Sequence, residues 1–228
     1  MAGRMVEFPS NGDGASGYLS TPAAGPGPGL VVIQEWWGLI PQIRRTADRF
    51  ADAGFSALAT DLYHGRAIGL QEPDEAAKAL MALDMQRAAR ELSGSVDYLL
   101  SSGVARGGAV GCVGYCMGGG LAVALAASHS KVAACVDYYG APTEDTDLSR
   151  VGAQVQGHFG TLDHFTPPEA VEQLAARLSA AGIGHTFYSY EGCDHAFANE
   201  DRPEVHQAAA AELTWQRTLD FLREALKA

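Results

Sequence analysis

The chain has 228 residues, of which 47% are hydrophobic and 19% charged, and its formal net charge is −11. That apolar content supplies a sizeable core, while the acidic balance argues against nucleic acid and anionic membranes as partners, since both need clustered Lys and Arg. A small anionic substrate stays open, because one or two local arginines outweigh a distant global field.

No stretch approaches the ~18 apolar residues of a membrane span. Residues 1–14 lack a basic segment followed by an apolar run, so no secretory leader is expected. Cysteines at 112, 116, 135 and 193 match neither a disulfide framework nor a zinc-ribbon spacing. Cys112 and Cys135 lie in apolar runs and read as core thiols. The expectation is a reduced, cytoplasmic protein with no metal and no cofactor.

With no internal repeat and no long linker, residues 1–228 read as one domain. The Gly/Pro-rich stretch 21–29 is a turn between two early strands. Beyond it, residues 30–34 read as a buried strand, 41–53 as a helix and 55–59 as a strand. Residues 75–100 carry one or two helices, 109–113 a strand and 119–127 a helix. Residues 132–138 and 155–159 are strands, 168–181 a helix, 186–190 the last strand and 204–227 the closing helix. Strand and helix in alternation predict a largely parallel sheet covered on both faces. Functional groups in such sheets gather just past the carboxyl ends of the strands.

One such place is Val113-Gly114-Tyr115-Cys116-Met117-Gly118. A tight strand-to-helix turn crowds the backbone around its central residue, and glycine two positions before and two after relieves the crowding. The turn would lift Cys116 above the sheet and set the Met117 amide at a helix N-terminus, suited to a developing oxyanion. By itself Gly-x-Cys-x-Gly fits a small buried cysteine in a glycine-rich helix start equally well. It matches neither phosphate-loop pattern.

A thiol nucleophile needs a base, and the base an orienting carboxylate. Asp163 stands a few residues past the strand at 155–159, and His195 directly follows the last strand. Taken singly, Asp163 reads as a turn or capping residue and His195 as a solvated loop histidine. Together they follow Cys116 in the order acid then histidine, each after its own strand, and that order favours a triad. His64, His158, His164, His185 and His206 compete for the base, with His185 and His206 expected at the surface. Asp194 is a rival acid, but adjacent loop side chains rarely face one another.

On these residues the chain resembles the dienelactone hydrolase (carboxymethylenebutenolidase-like) family of α/β-hydrolases. Further matches are Val32-Ile33-Gln34-Glu35, Asp61-Leu62-Tyr63, Asp137-Tyr138-Tyr139-Gly140, Gly160-Thr161-Leu162-Asp163-His164-Phe165 and His195-Ala196-Phe197. The resemblance implies the α/β-hydrolase fold and the triad Cys116, Asp163 and His195. It also implies that Glu35 accepts the thiol proton when substrate arrives, and that the Trp36 amide is a second oxyanion donor beside Met117. It implies Tyr138 as a substrate-binding residue and arginines for a substrate carboxylate. Arg66 stands two residues from the first arginine position. At the second stands Asn199, with Arg202 three residues on. Asparagine cannot make a charge-assisted fork, so a dienelactone carboxylate need not be the substrate.

The implied activity is hydrolysis of an ester or lactone through a thioester, on a small-molecule substrate, by a monomer or homodimer. The rival is a binding or redox-sensing protein that uses the Cys116 thiol.

Overall fold

The structure, a computed structural model, describes residues 3–10 and 13–227. Of the segment read above for a leader, residues 1, 2, 11 and 12 lie outside the described residues. Backbone contacts gather into two compact units, the first ending at Gly111 and the second beginning at Cys112.

In the first unit, β1 (Arg4–Ser10) and β2 (Asp13–Ser20) form an antiparallel pair. Then come β3 (Pro28–Ile33), α1 (Pro41–Asp52) and β4 (Ser56–Thr60). β4 pairs antiparallel with β2 and parallel with β3. Every residue of β3 and β4 is buried, as expected for strands covered on both faces. Proline opens α1 and α2 (Pro73–Met81) at the first helical turn, where its missing N–H is no loss. The helical stretch predicted over 75–100 is two helices. α3 (Met85–Ser101) restarts because the Asp84 carboxylate accepts the amides of Gln86 and Arg87, both at 3.0 Å.

β5 (Arg106–Tyr115) runs from the first unit into the second. The second unit continues with α4 (Met117–Ser128), β6 (Val132–Tyr138), a 3₁₀ turn at Leu148–Arg150 and β7 (Gln154–Gly160). It ends with α5 (Pro168–Ala180), β8 (His185–Tyr190) and α6 (Ala208–Leu226). β6, β7 and β8 are parallel, with Tyr138 beside His158 and Gly160 beside Tyr190. The strand order is β1-β2-β4-β3-β5-β6-β7-β8, an eight-stranded, mostly parallel sheet.

Neighbouring residues of β6 show how this unit is layered. Asp137 abuts Gly119 of α4, whereas the Tyr138 hydroxyl reaches Thr218 of α6 at 2.8 Å. Successive side chains of a strand point to opposite faces, so α4 and α6 cover the two faces of β6. The closing helix begins at Ala208, later than predicted. Residues 205–207 are drawn into turns instead, with the Val205 and His206 amides on Arg202 O at 3.1 and 2.9 Å and the Gln207 amide on Phe197 O at 3.0 Å. Among the described residues no helix is long and apolar enough to cross a membrane.

Candidate active site

β5 ends at Tyr115, and Cys116 follows with φ 57° and ψ −121°. A non-glycine residue there is strained. The flanking glycine explains how the turn closes, since a Cβ on Gly114 would lie 1.8 Å from the Gly118 carbonyl oxygen. The Cys116 amide donates to Tyr138 O at 2.9 Å, and its carbonyl accepts from Gly119 N–H at 2.9 Å. Met117 is the first residue of α4. The Cys116 thiol is free and half-buried.

Two loops at the carboxyl ends of β7 and β8 carry the acid and the base. They are joined by Leu162 N–H to Cys193 O (2.9 Å), Thr161 N–H to Tyr190 O (3.1 Å) and Gly192 N–H to Thr161 Oγ1 (2.9 Å). Asp163 and His195 are 2% and 8% exposed. Asp163 Oδ2 lies 2.8 Å from His195 Nδ1, while Oδ1 accepts the amides of Phe165 and Thr166, each at 2.8 Å. Asp194 does something else: its carboxylate accepts the backbone N–H of His195 at 2.6 Å.

Burial opposes a charged His195 ring, but Asp163 and Cys116 outweigh it, and the ring's pKa is pushed up to about 10. Its Nε2 is buried and, among the described residues, outside hydrogen-bonding geometry with any group. The thiol therefore acts on the ring at short range without an aligned bond, which is common before substrate binds. Tyr139 (5.1 Å between ring centres) and Phe165 (4.9 Å) pack on the imidazole. Phe165 is 71% exposed, so it lends the base an apolar, solvent-facing neighbour.

The competing histidines have other work. His158 is fully buried, with ring nitrogens near Tyr190 Oη (2.8 Å), Gln156 Oε1 (3.1 Å) and Thr218 Oγ1 (3.1 Å). Burial, with a smaller contribution from Arg217, drives its pKa down to about 3. His64 pairs with Glu91 at 2.8 Å, and the half-buried His185 faces its neighbour Ile183 O at 3.0 Å. His164 is exposed and His206 half-buried.

The first unit holds three more candidates. Glu35, 2% exposed, follows β3, and Trp36 stacks edge-on against Trp37 at 5.1 Å. Arg66 is an exposed residue whose guanidinium bonds Glu75 at 3.0 Å. In the second unit Asn199 is buried and its Oδ1 accepts Asp201 N–H at 3.0 Å, while Arg202 pairs with Glu204 at 2.8 Å. Tyr138 has its hydroxyl on Thr218, and its neighbour Tyr139 is the tyrosine against His195.

Sequence reasoning gave Asp137, Tyr139 and Phe165 no role of their own. The signal was faint but present. Asp137 is a carboxylate closing an apolar strand, and Phe165 is an aromatic two residues past the candidate acid. Among the described residues no group of three or more His, Cys, Asp or Glu side chains is placed to hold a metal ion.

The profile of the Dienelactone hydrolase family matches residues 15–226. Protein usf of Aquifex pyrophilus is 33% identical over 232 residues, covering 98% of this chain and 99% of its own. The carboxymethylenebutenolidase of Pseudomonas putida is 31% identical over 213 residues, covering 90% and 89%. Among solved structures, a dienelactone hydrolase-like promiscuous phosphotriesterase from metagenomic libraries superposes with a TM-score of 0.86 at 21% identity, covering 98% of each chain. At that identity the likeness concerns the fold alone.

Proposed function

Because the chain belongs to the dienelactone hydrolase family of the α/β-hydrolases, we propose that it hydrolyses a small ester or enol-lactone through a Cys116 thioester. The observation that carries this reading is the Asp163–His195 bond at 2.8 Å, with the ring held basic by Asp163 and Cys116 together.

The Cys116 thiol gives its proton to Nε2 of His195, and Sγ bonds to the substrate carbonyl carbon. The carbonyl electrons move to oxygen, where the Met117 amide serves as a donor and the family resemblance adds the Trp36 amide. Collapse breaks the bond to the leaving oxygen, which takes the proton from Nε2 as it departs or, leaving as an enolate, afterwards, so that the ring is neutral again. Water then attacks the thioester carbonyl while Nε2 accepts its proton. The C–S bond breaks, the acid leaves, and the sulfur is protonated again. A thiolate suits such activated leaving groups better than peptide amides.

The family resemblance offers Glu35 as the alternative acceptor of the thiol proton, so Glu35→Gln and His195→Ala are the informative pair. If Glu35 is the acceptor, Glu35→Gln slows thioester formation and spares its hydrolysis. His195→Ala slows both if the ring accepts both protons. Arg66, Asn199 and Arg202 remain candidates for substrate recognition, whereas Tyr138 is buried with its hydroxyl on Thr218 at 2.8 Å. The free state of all four cysteines fits a reducing, cytoplasmic setting.

The test is turnover of 4-nitrophenyl acetate with acyl-enzyme trapping by mass spectrometry. Wild type should turn over and carry an acetyl adduct on Cys116, and Cys116→Ala should do neither. Turnover unchanged in Cys116→Ala would remove Cys116 from the mechanism. No turnover of any activated ester or lactone by reduced wild type would leave the redox or binding reading.

A further inference from the structure

Asp137 is fully buried at the end of β6, and nothing in the mechanism above uses it. Its Oδ1 accepts the Gly140 amide at 2.9 Å, closing a turn over residues 137–140, and its Oδ2 has no hydrogen-bond partner among the described residues. The turn holds Tyr139 at φ 43°, a left-handed conformation that a tyrosine does not adopt without restraint. Tyr139 is also fixed by its amide on His158 O (2.9 Å) and its carbonyl on Thr166 Oγ1 (3.0 Å).

The turn touches both reacting partners. On one side, Gly140 leaves so little room that a Cβ there would sit 2.4 Å from the Cys116 carbonyl oxygen. The Asp137 carboxyl likewise fills the place of a Gly119 Cβ, with Oδ1 only 2.0 Å from it. On the other side, the Tyr139 ring packs on His195 at 5.1 Å and on Phe197 at 5.7 Å. One carboxyl therefore anchors a turn lying against the nucleophile's elbow and the base's ring at once.

We propose that Asp137 is a positioning residue that sets the spacing between Cys116 and His195 through the turn at Gly140 and Tyr139. This rests on the reading of Cys116 and His195 as nucleophile and base. The chemical form required is a neutral one that still accepts from Gly140. Burial favours it by pushing the carboxyl well above the usual carboxylate range, with the Gly140 amide and His195 opposing only in part. Asparagine reproduces that form, whereas leucine keeps the bulk and loses the acceptor.

The experiment compares Asp137→Asn, Asp137→Leu and Asp137→Ala, alone and with Tyr139→Ala, by kcat, KM and thermal melting. Asp137→Asn should keep kcat within about threefold of wild type. Folded Leu or Ala variants should lose about tenfold or more in kcat with KM within about twofold, because a misplaced base slows chemistry rather than binding. With Tyr139→Ala already present, most of that loss should disappear. Equal losses in the Asn and apolar variants would overturn the proposal, as would full activity of a folded apolar variant or additivity with Tyr139→Ala. Failure of both apolar variants to fold would make Asp137 a determinant of the fold and overturn a positioning role. Cys116→Ala, run in parallel, reports separately on the nucleophile: its activity alone would refute the reading beneath the proposal.

Discussion

Asp163 holds His195 with one carboxylate oxygen and its own loop with the other. Oδ2 faces the imidazole Nδ1 at 2.8 Å while Oδ1 takes the Phe165 and Thr166 amides. The loop fixes the acid and the acid fixes the ring, so the direction of Nε2 is decided before any substrate enters.

Asp163→Asn should therefore damage chemistry far more than folding. Its amide nitrogen cannot accept the Nδ1 proton, and the imidazole adopts the wrong tautomer or turns away. By analogy with serine triads the loss in kcat is on the order of 10⁴, with KM little changed. The Asn carbonyl can still receive the two loop amides, so the melting temperature should fall by only a few degrees. Steady-state kinetics with calorimetry checks both, and a large KM rise at constant kcat would contradict the assignment.

Stability should decline on both sides of neutrality for two separable reasons. The His195 pKa is raised from an ordinary 6.5 to about 10. The folded state therefore binds the proton more tightly, and that stabilisation is fully present below about 6.5 and lost as pH rises through 10. His158 is depressed to about 3, so its contribution is fully present above about 6.5 and lost as pH falls towards 3. Melting temperature against pH should accordingly have a shallower alkaline limb in His195→Gln and a shallower acid limb in His158→Gln. Curves parallel to wild type would refute the corresponding shift.

Glycines of β5 should differ sharply in their tolerance of a methyl group. A Cβ on Gly114 meets the Gly118 carbonyl oxygen at 1.8 Å, whereas one on Gly108 meets nothing within 4 Å. Gly114→Ala should abolish esterase activity and lower stability by several kcal/mol, beyond the ~1–3 kcal/mol of ordinary overpacking, because backbone rather than a mobile side chain stands in the way. Gly108→Ala should stay within about 0.5 kcal/mol of wild type and keep full activity. Denaturant titration and ester turnover of the two variants give the comparison.

Much of this was legible in the chain itself. Short, mostly apolar segments alternating with helical periodicity pointed to a parallel sheet, because strands covered on both faces are largely apolar on both. The glycines around Cys116 declared the sharp turn, because at Gly114 the Gly118 backbone leaves no room for a Cβ. The order of Cys116, Asp163 and His195, each just past a strand, announced residues delivered to the same end of the sheet. What sequence could not decide was which neighbouring side chain faces which group. Asp163 and Asp194 are both aspartates near His195, and only the loop geometry gives the ring to one and the backbone N–H to the other. Tyr138 and Tyr139 are adjacent and identical in type, yet a left-handed backbone at Tyr139 turns it onto His195 while Tyr138 stays in the core on Thr218. Asp137 gained its part in the same way. Local pattern determines which elements form and in what order they present their ends, whereas side-chain direction depends on contacts between residues distant in the chain, which only tertiary packing sets.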